Sequence, residues 1–264
     1  MKSIRLNTSS LKAIAVGLAS ITIFLLLWEG LSKEMASPFF PGPYEVFLAF
    51  IRISTVGDIN GYTLAYHAIT SLYRVLLGFA VGALLAVPLG ILMGVKTVAR
   101  SAATPILEPL RFIPPIAWVP LAIVLLSGLS RYTFLIGIGV FFPVLLNTMA
   151  GTRRTSITLV NVAKTFGASN SAVIRKIIFP SALPEIMTGL RVGMGIGWMC
   201  IVAAEIIGGA PVGLGVLILE YASFLQMDVV IVGMVSIGLI GLAINYIMLV
   251  IEKRMFRWRV EVYG

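Results

Sequence analysis

Residues 160–180 read VNVAKTFGASNSAVIRKIIFP, a polar and basic stretch in a chain that is otherwise mostly apolar. Apolar residues recur through its first half at helical spacing. They are Leu159, Val162, Ala163 and Phe166. Gly167 follows, and glycine readily takes the positive φ that ends a helix. The pattern predicts a short helix with one apolar face that ends at Gly167.

A second short helix is predicted after the glycine. Ser169 or Asn170 can cap its start. Pro180 is expected to end it, because proline lacks the N–H group and disfavours helix in the residue before it. Its apolar side consists of Val173, Ile174, Ile177 and Ile178, with Arg175 and Lys176 off that side. The two helices are too short and too charged to span a membrane, but their apolar faces can dock against another surface.

The composition of the whole chain is that of a membrane protein. Of its 264 residues, 59% are hydrophobic and 12% are charged, and the mean hydropathy is +1.02. Soluble domains carry about 25% charged residues. The net charge of +9 does not indicate a nucleic-acid partner, because the basic residues are concentrated in loops between apolar runs. The single cysteine, Cys200, excludes an intrachain disulfide and a cysteine metal cluster.

Long apolar runs predict about six transmembrane helices in one all-α, polytopic domain, residues 1–264. The predicted spans are residues 11–31, 67–95, 111–126, 132–150, 188–207 and 228–251. The first span lacks a convincing cleavage site and is interpreted as retained. Prolines 114, 115 and 120 are expected to bend or interrupt the third span, and residues 96–108 before it are interpreted as a polar linker. The segments at about 32–65 and 208–227 are expected to lie on the outer side.

Basic residues set the predicted orientation. One set of loops is rich in them: Lys2, Arg5, Lys12, Lys96, Arg100, Arg111, Arg153, Arg154, Lys164, Arg175, Lys176, Lys253, Arg254, Arg257 and Arg259. The opposite set carries only Lys33, Arg52 and Arg131. The positive-inside rule therefore predicts that both termini and residues 160–180 are cytoplasmic.

The opening stretch resembles a known family pattern. Membrane subunits of prokaryotic ATP-binding-cassette (ABC) importers carry a cytoplasmic loop that reads Glu-Ala-Ala, three residues, Gly, nine residues, Ile, one residue, Leu-Pro. Gly167, Ile177 and Pro180 fall at this spacing and Ala163 matches the second alanine. The departures from the pattern are Asn161, Val162 and Phe179. The sequence VAKTFGAS is similar to the corresponding stretch in the branch of this family that imports nitrate, sulfonates, taurine, bicarbonate and thiamine precursors.

This resemblance implies a type I importer permease in which a loop at about 153–187 couples to a separate ATPase. The residues implied in coupling are Asn161, Ala163, Lys164, Phe166, Gly167, Ala168, Ile177 and Pro180. Spacing alone leaves open an amphipathic loop that lies on lipid head groups. No catalytic residue, metal site or cofactor is expected in this chain, since it lacks a glycine-rich phosphate loop ending in Lys-Ser or Lys-Thr. ATP and Mg²⁺ are expected on the partner.

The implied partners are a second permease copy in a homodimer, two cytoplasmic ATP-binding subunits, an extracytoplasmic solute-binding protein and the lipid bilayer. The implied location is the cytoplasmic membrane. Residues 38–52 and 209–227 are the predicted outer docking surfaces. Glycines spaced by four in the second and fifth spans permit close helix packing and are candidates for pairing the two copies. They are Gly78, Gly82, Gly90 and Gly94, and Gly189, Gly193 and Gly197.

Polar residues within spans are candidates for the translocation path, because an unpaired charge in lipid costs several kcal/mol. Arg74 either meets an anionic substrate or pairs with a carboxylate, and Glu205 is either a gate or a partner in a helix-to-helix hydrogen bond. Asn147 either lines the path or bonds across helices. Four further residues have structural expectations: Glu108 pairs with Arg111, and Glu185 and Arg191 anchor the loop. His67 is expected at the membrane interface.

The leading functional hypothesis is a permease for a small anion or sulfonate such as nitrate, taurine or bicarbonate. Import of a thiamine precursor or another small organic solute remains open. The alternative is an ion-coupled carrier or channel, which tends to need intramembrane acids and inverted repeats. The sequence offers few such acids and no evident repeat. A membrane-embedded enzyme has no cluster of catalytic groups to support it.

Overall fold

A computed structural model describes residues 8–256, with side chains from Lys12 onward, and these residues contain helices and turns but no strand. The helices are α1 Thr8–Met35, α2 Pro43–Thr55, α3 Leu64–Val95, α4 Thr97–Arg111, α5 Val119–Leu125, α6 Leu129–Arg153, α7 Ile157–Thr165, α8 Asn170–Val173, α9 Phe179–Ile207, α10 Leu214–Ser223 and α11 Met227–Met255. The all-α prediction is confirmed. The predictions for Lys2, Arg5, Arg257, Arg259 and both chain ends lie outside the described residues.

The number of membrane spans agrees with the prediction of about six. Five helices in the described part of the chain are long and apolar enough to cross a bilayer. A sixth span results if α4 and the following Pro115–Leu125 segment count as one broken span. The helix that contains the fifth span begins before the predicted span, because the helical path is continuous from Asn170 to Ile207.

The third span is interrupted, as its prolines predict, but the segment before it is not a linker. Residues 96–108 were interpreted as a polar linker, whereas α4 occupies Thr97–Arg111 and accommodates two internal prolines. The chain then bends by 91° before a 3₁₀ turn at Pro115–Trp118 that leads into α5. Pro114 is extended, with ψ 139°, because a residue that precedes proline is disfavoured from helix. The Pro114–Pro115 pair therefore separates the two halves of the span.

The chain divides into two compact units, residues 1–65 with 217–235 and residues 66–216 with 236–264. In the first unit, the turn after α1 folds back onto that helix. The indole Nε1 of Trp28 donates to the carbonyl of Pro41 at 3.1 Å, and Ser32 Oγ donates to the carbonyl of Phe40 at 2.7 Å. Pro43 occupies the first turn of α2, where its missing N–H has no cost.

In the second unit, α6 lies between α3 and α9, and glycines make both contacts close. A Cβ atom on Gly94 of α3 would lie 2.5 Å from Cβ of Thr152 on α6. A Cβ atom on Gly189 of α9 would lie 2.8 Å from Cβ of Asn147 on α6. The glycine faces therefore pack within one chain, and the expectation that they pair two copies is wrong. The reason is that small residues favour any close helix contact, whether within or between chains.

The last helix, α11, packs on α9 in the same unit. The indole Nε1 of Trp198 donates to the carbonyl of Ile237 at 3.0 Å, and Gly241 lies against the same ring. Arg191 pairs with Glu252 at 3.1 Å between Nη1 and Oε2. Arg191 thus joins α9 to α11 rather than anchoring the loop before α9.

Candidate functional site

The predicted loop between α6 and α9 has the expected helix–glycine–helix form. The first helix, α7, ends at Thr165, and Gly167 takes φ +79°. Among the described residues, no atom lies within 4 Å of where a Cβ atom on Gly167 would be. Glycine is therefore required here by the backbone conformation and not by space. Ser169 caps the next helix, because its Oγ accepts from the N–H of Ala172 at 3.3 Å.

The first half of this loop presents large apolar side chains to its surroundings. Phe166, next to the glycine, has 87% of its surface exposed. Three apolar residues of α7 are also exposed: Ile157, Leu159 and Val162. Of the other predicted coupling residues, Asn161 and Lys164 are exposed, while Ala163 and Ala168 are half-buried. Such a patch on a polar, basic loop marks an interaction surface.

The second half of the loop is packed against the protein. Val173 and Ile178 are buried, with 3% and 7% of their surfaces exposed, and Ile177 is half-buried. Arg175 and Lys176 point away from this contact and are exposed. The loop therefore has an exposed tip at Phe166 and a base that is held by apolar contacts.

Pro180 does not end the second helix, contrary to the sequence prediction. A π turn at Ile174–Ile178 leads directly into α9, and Pro180 lies in the first turn of that helix. The N–H of Phe179 bonds to the carbonyl of Ile174, five residues earlier. This wider turn makes room for the proline ring, which would clash with the carbonyl four residues before it in an α-helix. The base of the loop is consequently continuous with a membrane span.

An ion pair also links the two ends of the loop. Arg154 Nη1 at the end of α6 lies 3.4 Å from Glu185 Oε1 on α9. Gly151 permits this approach, since a Cβ atom there would lie 2.7 Å from Cβ of Glu185. The expectation that Glu185 anchors the loop is confirmed by this contact.

Arg74 and Glu205, predicted as path residues, form an ion pair inside the second unit. Arg74 Nη1 lies 2.6 Å from Glu205 Oε1, and the two side chains are 9% and 0% exposed. Ser71 Oγ donates to the same carboxylate at 2.8 Å, and the N–H of Gly215 donates at 2.9 Å. The Arg74 guanidinium also lies over the ring of Tyr132, 4.6 Å from its centroid. Three donors therefore compensate the buried carboxylate.

The same network fixes residues 208–215, which comprise the segment between α9 and α10 and the first two residues of α10. Arg74 Nη1 donates to the carbonyl of Val212 at 2.6 Å, and the N–H of Leu214 donates to Ser71 Oγ at 2.9 Å. His67 Nδ1 lies 3.0 Å from the carbonyl of Gly213. His67 is only 1% exposed, so the expectation of an interfacial histidine is wrong. Its polar contact with this segment explains why it is buried.

The structure does not bring the three predicted path residues together. Asn147 Nδ2 donates to the carbonyl of Pro143 within α6 at 2.8 Å, whereas Arg74 and Glu205 belong to the network that holds residues 208–215. Their role in a path stays a prediction. Sequence reasoning missed Ser71, Val212 and Gly215 as members of the network. No spacing signal links Ser71 to the other two, because it lies on α3, more than a hundred positions before residues 208–215.

The first unit has an open cleft that both predicted docking segments line. Its volume is about 460 Å³. It is lined by Pro38, Pro41, Glu45, Leu48, Ala49, Arg52, Leu225, Gln226, Met227 and Asp228. Arg52 Nη2 and Asp228 Oδ2 lie 3.2 Å apart in this cleft and remain partly exposed. Charged and apolar groups are thus both available to a partner on this surface.

Comparison with known proteins agrees with this arrangement. Residues 86–257 match the family model described as binding-protein-dependent transport system inner membrane component. A putative ABC transporter permease of Methanocaldococcus jannaschii is 38% identical, over 97% of this chain and 96% of its own length. The taurine transport system permease of Escherichia coli is 32% identical, over 95% and 92%. The bicarbonate transport system permease of Synechococcus elongatus is 32% identical, over 94% and 91%. The chain therefore belongs to the family of binding-protein-dependent inner membrane components, the permeases of ABC importers.

Proposed function

We propose that this permease moves a small anion across the cytoplasmic membrane, driven by a separate ATPase that grips the loop between α6 and α9. The observation that supports this most directly is the exposed Phe166 beside the positive-φ glycine, at the tip of a loop whose base is packed. An exposed aromatic side chain next to small residues is suited to insert into a pocket on a partner. The predicted coupling residues from Asn161 to Ala168 supply this tip.

The mechanism follows from the continuity of the loop with the spans. Because the π turn runs straight into α9, and Arg154 pairs with Glu185, a displacement of the tip reaches α6 and α9 together. An ATPase that binds the loop more tightly in one conformation shifts the equilibrium between the two states of the path. Ile177 and Pro180 belong to the segment that transmits this movement rather than to the exposed tip.

The proposed orientation places this loop in the cytoplasm. Arg153, Arg154, Lys164, Arg175 and Lys176 all lie in or beside it, as the positive-inside rule requires of a cytoplasmic loop. The solute-binding protein is proposed to dock at the cleft lined by residues 38–52 and 225–228, which belong to the segments predicted to be on the outer side. Two permease copies, two ATPase subunits and one binding protein form the proposed assembly.

The proposed substrate class rests on the relatives. Those compared above are named for taurine and bicarbonate transport, and a further relative, from Bacillus subtilis, is named for aliphatic sulfonates. These compounds are small and carry a sulfonate or carbonate group. We infer that the cargo of this permease is a small anion or zwitterion with such an oxygen-rich head group.

Transport by the complete assembly tests this proposal. The permease, its ATPase and its binding protein are reconstituted in liposomes, and ATP-dependent uptake of radiolabelled taurine, ethanesulfonate, nitrate and bicarbonate is measured. Phe166→Ala should weaken ATPase association by about thirtyfold, because loss of a central aromatic anchor costs about 2 kcal/mol. Phe24→Ala is the matched control, since Phe24 is similarly exposed, on α1. Equal ATPase binding by both variants, or uptake without ATP, would contradict the proposal.

A further inference from the structure

A second groove lies in the second unit, where α4 crosses α6 next to the break in the third span. Its volume is about 210 Å³, and it is lined by Met93, Thr104, Leu107, Glu108, Arg111, Phe142, Leu145, Leu146 and Met149. Most of these side chains are apolar. The charged exceptions are Glu108 and Arg111, whose Oε1 and Nη2 atoms lie 2.7 Å apart. The expected pairing of these two residues is confirmed.

This ion pair lies at the end of α4, next to the break in the third span. Arg111 was assigned to a basic loop, whereas it ends α4 and faces a groove whose other wall is α6. Phe142 is eleven residues from Arg153, the end of α6, and a helix rises about 1.5 Å per residue. The α6 wall of the groove, from Met149 to Phe142, therefore lies about 6 to 16 Å from the C-terminal end of that helix.

Both charges retain access to their surroundings. The side chains of Arg111 and Glu108 are 33% and 51% exposed. A charge that faces lipid at the centre of a span costs about 3 kcal/mol or more. Irregular backbone such as residues 112–114, next to this pair, is tolerated at membrane depth only within protein or beside water. A groove that faces water satisfies both conditions.

We propose that this groove is a subsite of the translocation path, in which Arg111 binds the oxygen-rich anionic head group of the cargo. The inference rests on the proposed transport function and assigns a site to it. A guanidinium binds two oxygens of a sulfonate or carboxylate through parallel N–H donors. The apolar side chains of α6 form the wall beside it, as is usual for small-molecule sites with few polar groups.

Glu108 acts as the resident counter-ion of Arg111. When the groove is empty, the carboxylate neutralises the guanidinium; when an anion arrives, it competes with Glu108 for the same donors. This competition keeps binding weak, which suits a site that must release its cargo. Removing one or the other charge should consequently change anion affinity in opposite directions. A purely structural ion pair would instead lose stability on either change.

Thiol labelling tests the groove without knowledge of the cargo. In the complete transporter in proteoliposomes, Cys200→Ser removes the only cysteine of the permease and Thr104→Cys places one in the groove. The probes are an anionic sulfonatoethyl and a cationic trimethylammonioethyl methanethiosulfonate, with each rate divided by that of a free thiol. We expect both probes to react, with the anionic one favoured. Arg111→Gln should lower the anionic-to-cationic ratio about fivefold, the effect of one nearby charge in a partly hydrated site, and Glu108→Gln should raise it by a similar factor.

Lys253→Gln is the control, because Lys253 is an exposed cation in the last turn of α11 and does not line the groove. The proposal is overturned if neither charged probe reacts, which would mean that lipid or the second copy covers the groove. It is also overturned if Arg111→Gln changes the ratio no more than Lys253→Gln. Neither result affects the proposed transport function, which is measured separately as ATP-dependent uptake.

Discussion

Replacing Glu205 by glutamine should destabilise the permease by about 3 kcal/mol. The substitution keeps the shape of the side chain but leaves Arg74 buried without its counter-ion, and breaking a buried ion pair costs about 3–5 kcal/mol. We expect a cost at the lower end of this range, because the guanidinium keeps the Val212 carbonyl and the face of the Tyr132 ring as partners. The amide nitrogen of glutamine would also face a donor, either Ser71 Oγ or the N–H of Gly215.

Thermal unfolding in detergent measures this loss. Cys200 is the only cysteine in the chain and is half-buried, so a thiol-reactive fluorescent dye reports unfolding at a single site. For a chain of this size, 1 kcal/mol corresponds to about 2–4 °C in Tm, and we expect Glu205→Gln to lower Tm by about 6–12 °C. The double variant Arg74→Gln with Glu205→Gln should lose less stability than the sum of the losses of the two single variants. The difference should be about 2 kcal/mol or more.

An exposed ion pair provides the control for this experiment. Arg52 and Asp228 are 50% and 30% exposed, and such pairs contribute about 1 kcal/mol at most. Asp228→Asn should therefore shift Tm by no more than about 4 °C. A shift for Glu205→Gln no larger than this, or strictly additive single and double variants, would refute the reasoning that the buried pair holds residues 208–215 in place.

Two further predictions concern glycines. Gly167→Val should reduce ATP-dependent uptake at least about tenfold while membrane insertion and ATP hydrolysis persist, because a β-branched residue resists φ +79°; normal uptake at normal expression would count against the coupling role. Gly94→Ala should lower stability by about 1–3 kcal/mol, since its Cβ would lie 2.5 Å from Cβ of Thr152. Gly195→Ala should be neutral or slightly stabilising in the same unfolding assay, because no atom of residues 8–256 lies within 4 Å of its Cβ position. Equal losses from the Gly94 and Gly195 changes would show that the close packing of α3 on α6 is misassigned.

Features set by a few neighbouring residues could be predicted from the sequence. Gly167 and Ser169 are the positions at which a glycine and a short hydroxyl residue change the local backbone preference, and the structure places the turn and the helix cap there. The break in the third span follows in the same way from Pro114 and Pro115. The spans themselves follow from long apolar runs. The prediction that Pro180 ends a helix was wrong, because a π turn relieves the clash between the proline ring and the preceding turn.

Features that depend on which helices meet could not be predicted in this way. A span that is apolar on all sides does not show which face contacts protein and which contacts lipid, so the glycine faces were wrongly assigned to a second copy. The pairing of Arg74 with Glu205 joins residues more than a hundred positions apart in the sequence. The contact of His67 with Gly213 spans a similar distance along the chain, so the sequence alone placed His67 at the membrane interface.

The sequence by itself determined an all-helical membrane protein, the approximate places where its helices begin and end, and the glycine-centred loop between two of them. Those properties depend on hydrophobicity, backbone freedom and hydrogen bonding within a few residues. Only the tertiary structure decided that α6 packs against both α3 and α9, that a buried ion pair fixes residues 208–215, and that the Glu108–Arg111 pair lines a groove beside α6. Lipid and neighbouring helices offer an apolar side chain nearly the same environment, so close packing and charge pairing, which involve distant residues, make that choice.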